Sequence, residues 1–186
     1  MSSYTFGPSA IATPANIITA VRVAFTPVIA ILFIHKGPSV LVALLWVFVS
    51  VTDGADGWLA RRQGTTRSGA FLDPLADKIL VFGVFFAIVA KGYAWWLPIA
   101  VMAVREVAMS YYRAHLGRRG VSVPARPLGK AKTVAQLLAI FVIVTPGIGG
   151  LRGPLSVSLI WIAAVLALVS GYFYFIDGSH PAPRAL

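Results

Sequence analysis

Cysteine occurs nowhere in the 186 residues, and the chain has only six acidic residues against sixteen lysines and arginines. The missing thiol excludes disulfides, thiolate metal sites and cysteine nucleophiles together. Any bound metal must therefore take oxygen or imidazole ligands. Histidine is scarce too: His35, His115 and His180 stand at run ends or in a tail, without an acidic partner at ligand spacing. They read as interface or solvent residues, and no Ser-His pair offers a covalent nucleophile.

Apolar residues fill the space that charge leaves. Hydrophobic content is 58% and mean hydropathy +0.82, well above the soluble norm of roughly half apolar. Apolar runs lie near 17–35, 40–60, 72–90, 95–114, 131–146 and 155–175, each close to the ~17 to 25 residues that cross a bilayer. The expected architecture is all-α: a polytopic membrane protein with six transmembrane helices and a short N-terminal interfacial segment. Residues 1–176 read as a single membrane domain and 177–186 as a short polar tail. The first fifteen residues carry no charge, so they lack the basic region of a cleaved signal and the expectation is that nothing is removed. Tyr93, Trp95, Trp96 and Trp161 suit an aromatic belt at the membrane surface.

The formal net charge is +10, and the basic residues gather in the connections between apolar runs. That placement suits anionic headgroups and phosphorylated substrates, and nucleic acid is not expected as a partner. Nine basic residues (Arg61, Arg62, Arg67, Arg113, Arg118, Arg119, Arg126, Lys130 and Lys132) border the loops after the second and fourth runs, whereas the opposite loops hold Lys36, Lys91 and Arg152. The bias places the first set, with both termini, in the cytoplasm.

Against this background four of the six acids, Asp53, Asp56, Asp73 and Asp77, crowd into one stretch of 25 residues, DGADGWLARRQGTTRSGAFLDPLAD. Asp53, Asp56, Gly57 and Ala60 recur at i, i+3, i+4 and i+7, which share one helical face. Asp73 and Asp77 are one turn apart, and Gly69 precedes them by another. Carboxylates brought together without compensation repel one another and lose hydration. One dication or a pair removes both penalties, and hard oxygen donors favour Mg²⁺, Mn²⁺ or Ca²⁺ over zinc. Glycine and alanine keep bulk off that face, so a nucleotide or pyrophosphate can approach the backbone. Arg61, Arg62 and Arg67 stand ready for phosphate oxygens. The plainer reading makes such aspartates helix caps or ion-pair partners, and Asp73 before Pro74 is a good capping arrangement.

The stretch resembles the signature of the CDP-alcohol phosphotransferases, matched here by Asp53, Asp56, Gly57, Ala60, Arg61, Gly69, Asp73 and Asp77. The gap between Arg61 and Gly69 is one residue shorter than is common there. The resemblance implies a six-helix membrane enzyme, commonly a homodimer, in which an alcohol displaces CMP from a CDP-linked lipid. It further implies Asp53, Asp56 and Asp73 as metal ligands and Asp77 as ligand and general base. Gly57, Ala60, Arg61 and Gly69 would surround the CDP group, and the metal would be Mg²⁺ or Mn²⁺, as two ions. FLDPLADKILV at 71–81, VREV at 104–107 and LGKAKTVAQ at 128–136 resemble bacterial members that join CDP-diacylglycerol to glycerol 3-phosphate. A bacterial inner-membrane protein with its site facing the cytoplasm is the corresponding expectation.

The acceptor side has physical support of its own. Arg105 and Glu106 lie inside an apolar run, where ionisable groups are costly and face a cavity or a partner. Neighbours on a helix do not face each other, so Arg105 is expected to reach substrate phosphate or the aspartate cluster, and Glu106 a basic group. Arg113, Lys130, Lys132 and Thr133, with Gln136, form a candidate glycerol phosphate pocket, although lysine and arginine also anchor helices at headgroup level. Asn16, Thr19 and Arg22 make a polar ridge at the mouth of the first run, with Asn16 a candidate substrate contact. Inositol phosphate, phosphatidylglycerol or serine are alternative acceptors. A cation transporter would need charge at mid-membrane depth in several spans, and that pattern is missing here.

Overall fold

The computed structural model describes residues 14–63, 67–118 and 127–179, and of these the side chains at 14–18, 53–63, 67–74, 117–118, 175 and 177–179 lie outside the description. Six helices follow one another: α1 (Pro14–Lys36), α2 (Val40–Gln63), α3 (Arg67–Ala90), α4 (Trp96–Arg118), α5 (Pro127–Val144) and α6 (Arg152–Ser179), with one 3₁₀ turn, Gly149–Leu151, before the last. Pro14 and Pro127 open α1 and α5, at the one helical position where a missing N–H costs nothing. At the other end of α1, Gly37 adopts φ 67° and its N–H donates to Phe33 O at 2.8 Å. The left-handed conformation closes the helix and turns the chain into α2.

Every helix outlasts or shifts from the apolar run that predicted it, because hydrogen bonding continues into the charged ends where hydropathy stops. α5 begins at Pro127 rather than near 131, which brings Lys130 inside the helix. α3 begins at Arg67 rather than near 72, which brings in Gly69. Among the described residues, three segments are long and apolar enough to cross a membrane: Thr19–Lys36, Pro127–Val144 and Gly149–Tyr174. The expected six crossings are thus met only in part by this criterion. In α4 the run is diluted by Arg105, Glu106 and Arg113, and in α2 the described residues contribute the apolar stretch Val40–Thr52.

Contacts between helices give their directions. Arg22 meets Asp77 and, further along both helices, Thr26 faces Gly83, so α1 and α3 run parallel. Ser39 N–H donates to Val144 O at 3.0 Å, and Trp46 Nε1 to Leu137 O at 3.2 Å. α2 and α5 are therefore antiparallel. Trp46, Phe33, Phe85, Ile29, Ile88 and Met102 are fully buried in the shared core. The outer faces reverse the soluble pattern: Phe86 is 75% exposed and Tyr111 77%, with Val104 and Val107 also exposed. Apolar surface of this extent suits lipid, and the chain is a polytopic membrane protein.

The α1–α3 contact is tight enough to test. A Cβ at Gly83 would stand 2.6 Å from Thr26 Cγ2, a distance at which the threonine side chain or the helix must shift. Gly83→Ala is expected to destabilise the protein by about 1 to 3 kcal/mol, read as a lower melting temperature in detergent. Thr26→Ser, which removes that methyl group, is expected to restore most of the loss.

Candidate functional site

Helical backbone over Val40–Gln63 and Arg67–Ala90 puts Asp53 and Asp56 one turn apart, and Asp73 and Asp77 one turn apart. None of the four stands at a helix end. Asp53 and Asp56 lie well before the last turn of α2, and Asp73 lies more than a turn inside α3. Helix capping, open as an explanation in the sequence, therefore does not account for them. The side chains of Asp53, Asp56, Gly57, Ala60, Arg61, Gly69, Asp73 and Asn16 lie outside the described residues. Among the described residues no group of three or more potential metal ligands assembles.

Asp77 is the member of the cluster whose surroundings are visible. Arg22 Nη1, from α1, donates to its Oδ1 at 2.5 Å. The guanidinium side is 1% exposed and the carboxylate side 44%, so the acid faces outward from a buried cation. Thr19 and Thr26 are buried one turn to either side of Arg22, and Thr26 Oγ1 donates to Arg22 O at 3.1 Å. Sequence reasoning placed Arg22 on a polar ridge and missed its partner. The available signal was a lone arginine inside an apolar run, flanked at helical spacing by two threonines.

A second polar centre lies between α3, α4, α5 and α6. Glu106 is its focus. Lys132 Nζ donates to Glu106 Oε1, Arg105 Nη1 donates to the same oxygen at 2.7 Å, and Lys78 Nζ stands 3.9 Å from Oε2. Lys78 also donates to Ser110 Oγ, which in turn donates to Glu106 O at 2.8 Å. The expectation that Arg105 and Glu106 would not pair is corrected here. Their Cβ directions diverge, but the long arginine side chain bends until its guanidinium reaches the neighbouring carboxylate. Arg105 also donates through Nε to Ala167 O at 2.9 Å and through Nη2 to Ser170 Oγ at 2.8 Å. Gly171 gives it room, since a Cβ there would stand 3.3 Å from Arg105 Nε. Arg105, expected to reach substrate phosphate or the aspartate cluster, is bonded here to the Glu106 carboxylate and fastens α4 to α6. Glu106 meets basic groups, as its place in the run required.

The remaining acceptor candidates divide. Lys132 is buried against Glu106 and Lys130 is exposed. Arg113 stacks over the Tyr174 ring, 4.8 Å from its centroid. Thr133 Oγ1 donates back to Gly129 O at 3.2 Å, and Gln136 Nε2 approaches Met102 Sδ at 3.2 Å. Lys78, which follows Asp77 directly, was not singled out in the sequence. Its adjacency to a signature aspartate was the clue. His35 and His115 are exposed, as expected, and His180 lies outside the described residues.

Residues 12–179 match the family described as CDP-alcohol phosphatidyltransferase. The chain belongs to the CDP-alcohol phosphatidyltransferase family. A family member from Pectobacterium atrosepticum, a CDP-diacylglycerol–glycerol-3-phosphate 3-phosphatidyltransferase, is 41% identical, with 89% of this chain and 94% of that protein covered. Proteins of the same name from Rickettsia bellii and Sodalis glossinidius are each 37% identical, covering 86% and 88% of this chain and 92% and 93% of their own. Family membership extends over all six helices, so the second polar centre on α3 to α6 belongs to the same domain as the signature.

Proposed function

We propose that the protein transfers a phosphatidyl group from CDP-diacylglycerol to glycerol 3-phosphate, giving phosphatidylglycerophosphate and CMP. The observation that carries this reading is near full-length likeness to transferases of that activity, at 41% identity for the Pectobacterium protein. The donor set fits a hard divalent cation: four carboxylates paired by helical turns, in a chain without thiols. Asp53, Asp56, Asp73 and Asp77 would hold Mg²⁺ or Mn²⁺, as two ions. When bound, the metal supplies charge neutralisation at the pyrophosphate and at the departing CMP.

The chain's own groups carry the rest. Asp77 takes the proton from the acceptor hydroxyl as its oxygen bonds to the phosphatidyl phosphorus and the phosphoanhydride bond to CMP breaks. No covalent enzyme intermediate is required. Gly57, Ala60 and Gly69 leave space for the CDP group, and Arg61 pairs with its phosphates. Lys132, Lys130, Arg113 and Thr133 line the approach of the acceptor, with Asn16 at the mouth of α1. Around Glu106 three cations meet a single carboxylate, and that surplus of positive charge supports a phosphorylated acceptor. In the same reading all six helices cross the membrane as one domain, the carboxylate end faces the cytoplasm and the protein works as a homodimer. The lipid then keeps its acyl chains in the bilayer while both soluble groups enter from water.

Purified protein given CDP-diacylglycerol with glycerol 3-phosphate, inositol phosphate, phosphatidylglycerol or serine in turn is expected to yield only phosphatidylglycerophosphate by mass spectrometry. Lys132→Ala is expected to raise the KM for glycerol 3-phosphate about tenfold, as loss of one charged contact does. Product with inositol phosphate alone would assign a different acceptor. An unchanged KM would leave Lys132 as an internal partner of Glu106.

A further inference from the structure

We infer that Arg22 is a positioning residue for the reaction, holding the Asp77 carboxylate at the angle from which it meets the acceptor hydroxyl. The inference rests on the proposed role of Asp77 as base. At 1% exposure Arg22 cannot touch substrate itself, yet its Nη1 is bonded to Asp77 Oδ1 at 2.5 Å while that acid is 44% exposed. One end of the pair is fixed in the protein interior and the other presents itself at the site.

Burying a guanidinium costs several kcal/mol, and a buried ion pair is often no more stabilising than apolar residues of the same volume. Stability alone is therefore a poor account of this arginine. What the pair does provide is geometry. An aspartate has two free side-chain torsions, and tethering one oxygen removes most of that freedom. The tether itself is rigid: Thr26, one turn beyond Arg22, bonds to its carbonyl oxygen, and Gly83 lets α3 close onto Thr26 at the same interface. The sequence separation of 55 residues between donor and acceptor makes the device one of helix packing, with α1 setting the aim of an acid on α3. A misplacement of about 1 Å at a reacting group is worth up to about a hundredfold in rate.

Arg22→Met and Arg22→Lys test this in purified protein, with Asp77→Asn beside them. Arg22→Met is expected to lower kcat about a hundredfold, with the KM values for both substrates within about twofold and CMP binding by equilibrium dialysis retained. Arg22→Lys keeps the charge but loses the planar fork and is expected to recover about a tenth of the wild-type kcat, with a melting temperature near wild type. An unchanged kcat in Arg22→Met overturns the proposal. So does a raised KM at constant kcat, which would mean substrate contact. If both variants fail to accumulate in membranes, or lose melting temperature in step with activity, the arginine is a structural pair and the proposal falls. Turnover retained by Asp77→Asn would instead sink the reading of Asp77 as base, on which the proposal depends.

Discussion

Asparagine at position 53 or 73 is expected to lower the rate of CMP release about a thousandfold or more while the protein still accumulates in the membrane. The exchange keeps the volume and the hydrogen-bonding reach of the side chain and removes one negative charge. If the cluster holds a dication as proposed, that charge is what the exchange takes from the metal. A loss of several kcal/mol of electrostatic stabilisation in the transition state corresponds to three or more powers of ten. The fold should tolerate the change, because fewer like charges then repel one another on α2 and α3. The check is CMP release from labelled CDP-diacylglycerol, normalised to membrane protein by immunoblot. Disappearance of both variants from the membrane fraction would mark the aspartates as structural.

Glu106→Gln is expected to damage the fold more than any other single exchange in the second polar centre. Its carboxylate receives Arg105 and Lys132 and lies near Lys78, so α3, α4 and α5 meet at one acid, and Arg105 carries the connection on to α6. Removing the acid leaves three cations facing each other in an apolar bundle. Breaking a buried pair in this way costs about 3 to 5 kcal/mol, or about 10 °C in melting temperature, measured in detergent. Combining Glu106→Gln with Lys132→Met removes one stranded charge and is expected to recover part of the stability. A single variant as stable as wild type would show that the carboxylate is not what gathers these helices.

The path from sequence to fold was clearest where hydropathy outweighs every other influence on the chain. Six apolar runs became six helices in the expected order, because a chain this apolar must hydrogen-bond its backbone within each segment. The ends were less legible, since Gly69 and Lys130 belong to helices whose backbone ladder begins ahead of the apolar run. The carboxylate cluster was readable as a motif because four acids at helical spacings are conspicuous among so few charges. Partnerships across helices were not readable. Arg22 and Asp77 are joined by the packing of α1 on α3, which periodicity does not encode. The Arg105–Glu106 pair was missed because the facing rule describes Cβ directions, whereas a guanidinium at the end of a long, flexible stem can fold back to its neighbour and still reach Ser170 on α6.

The most direct test of the account is CMP release by purified wild-type protein with CDP-diacylglycerol and glycerol 3-phosphate, before and after rigorous chelation and after return of Mg²⁺ or Mn²⁺. Release is expected to stop on chelation and to return with either ion, together with phosphatidylglycerophosphate in equal amount. Full release in chelated solution would contradict a carboxylate-held cation as the centre of the site.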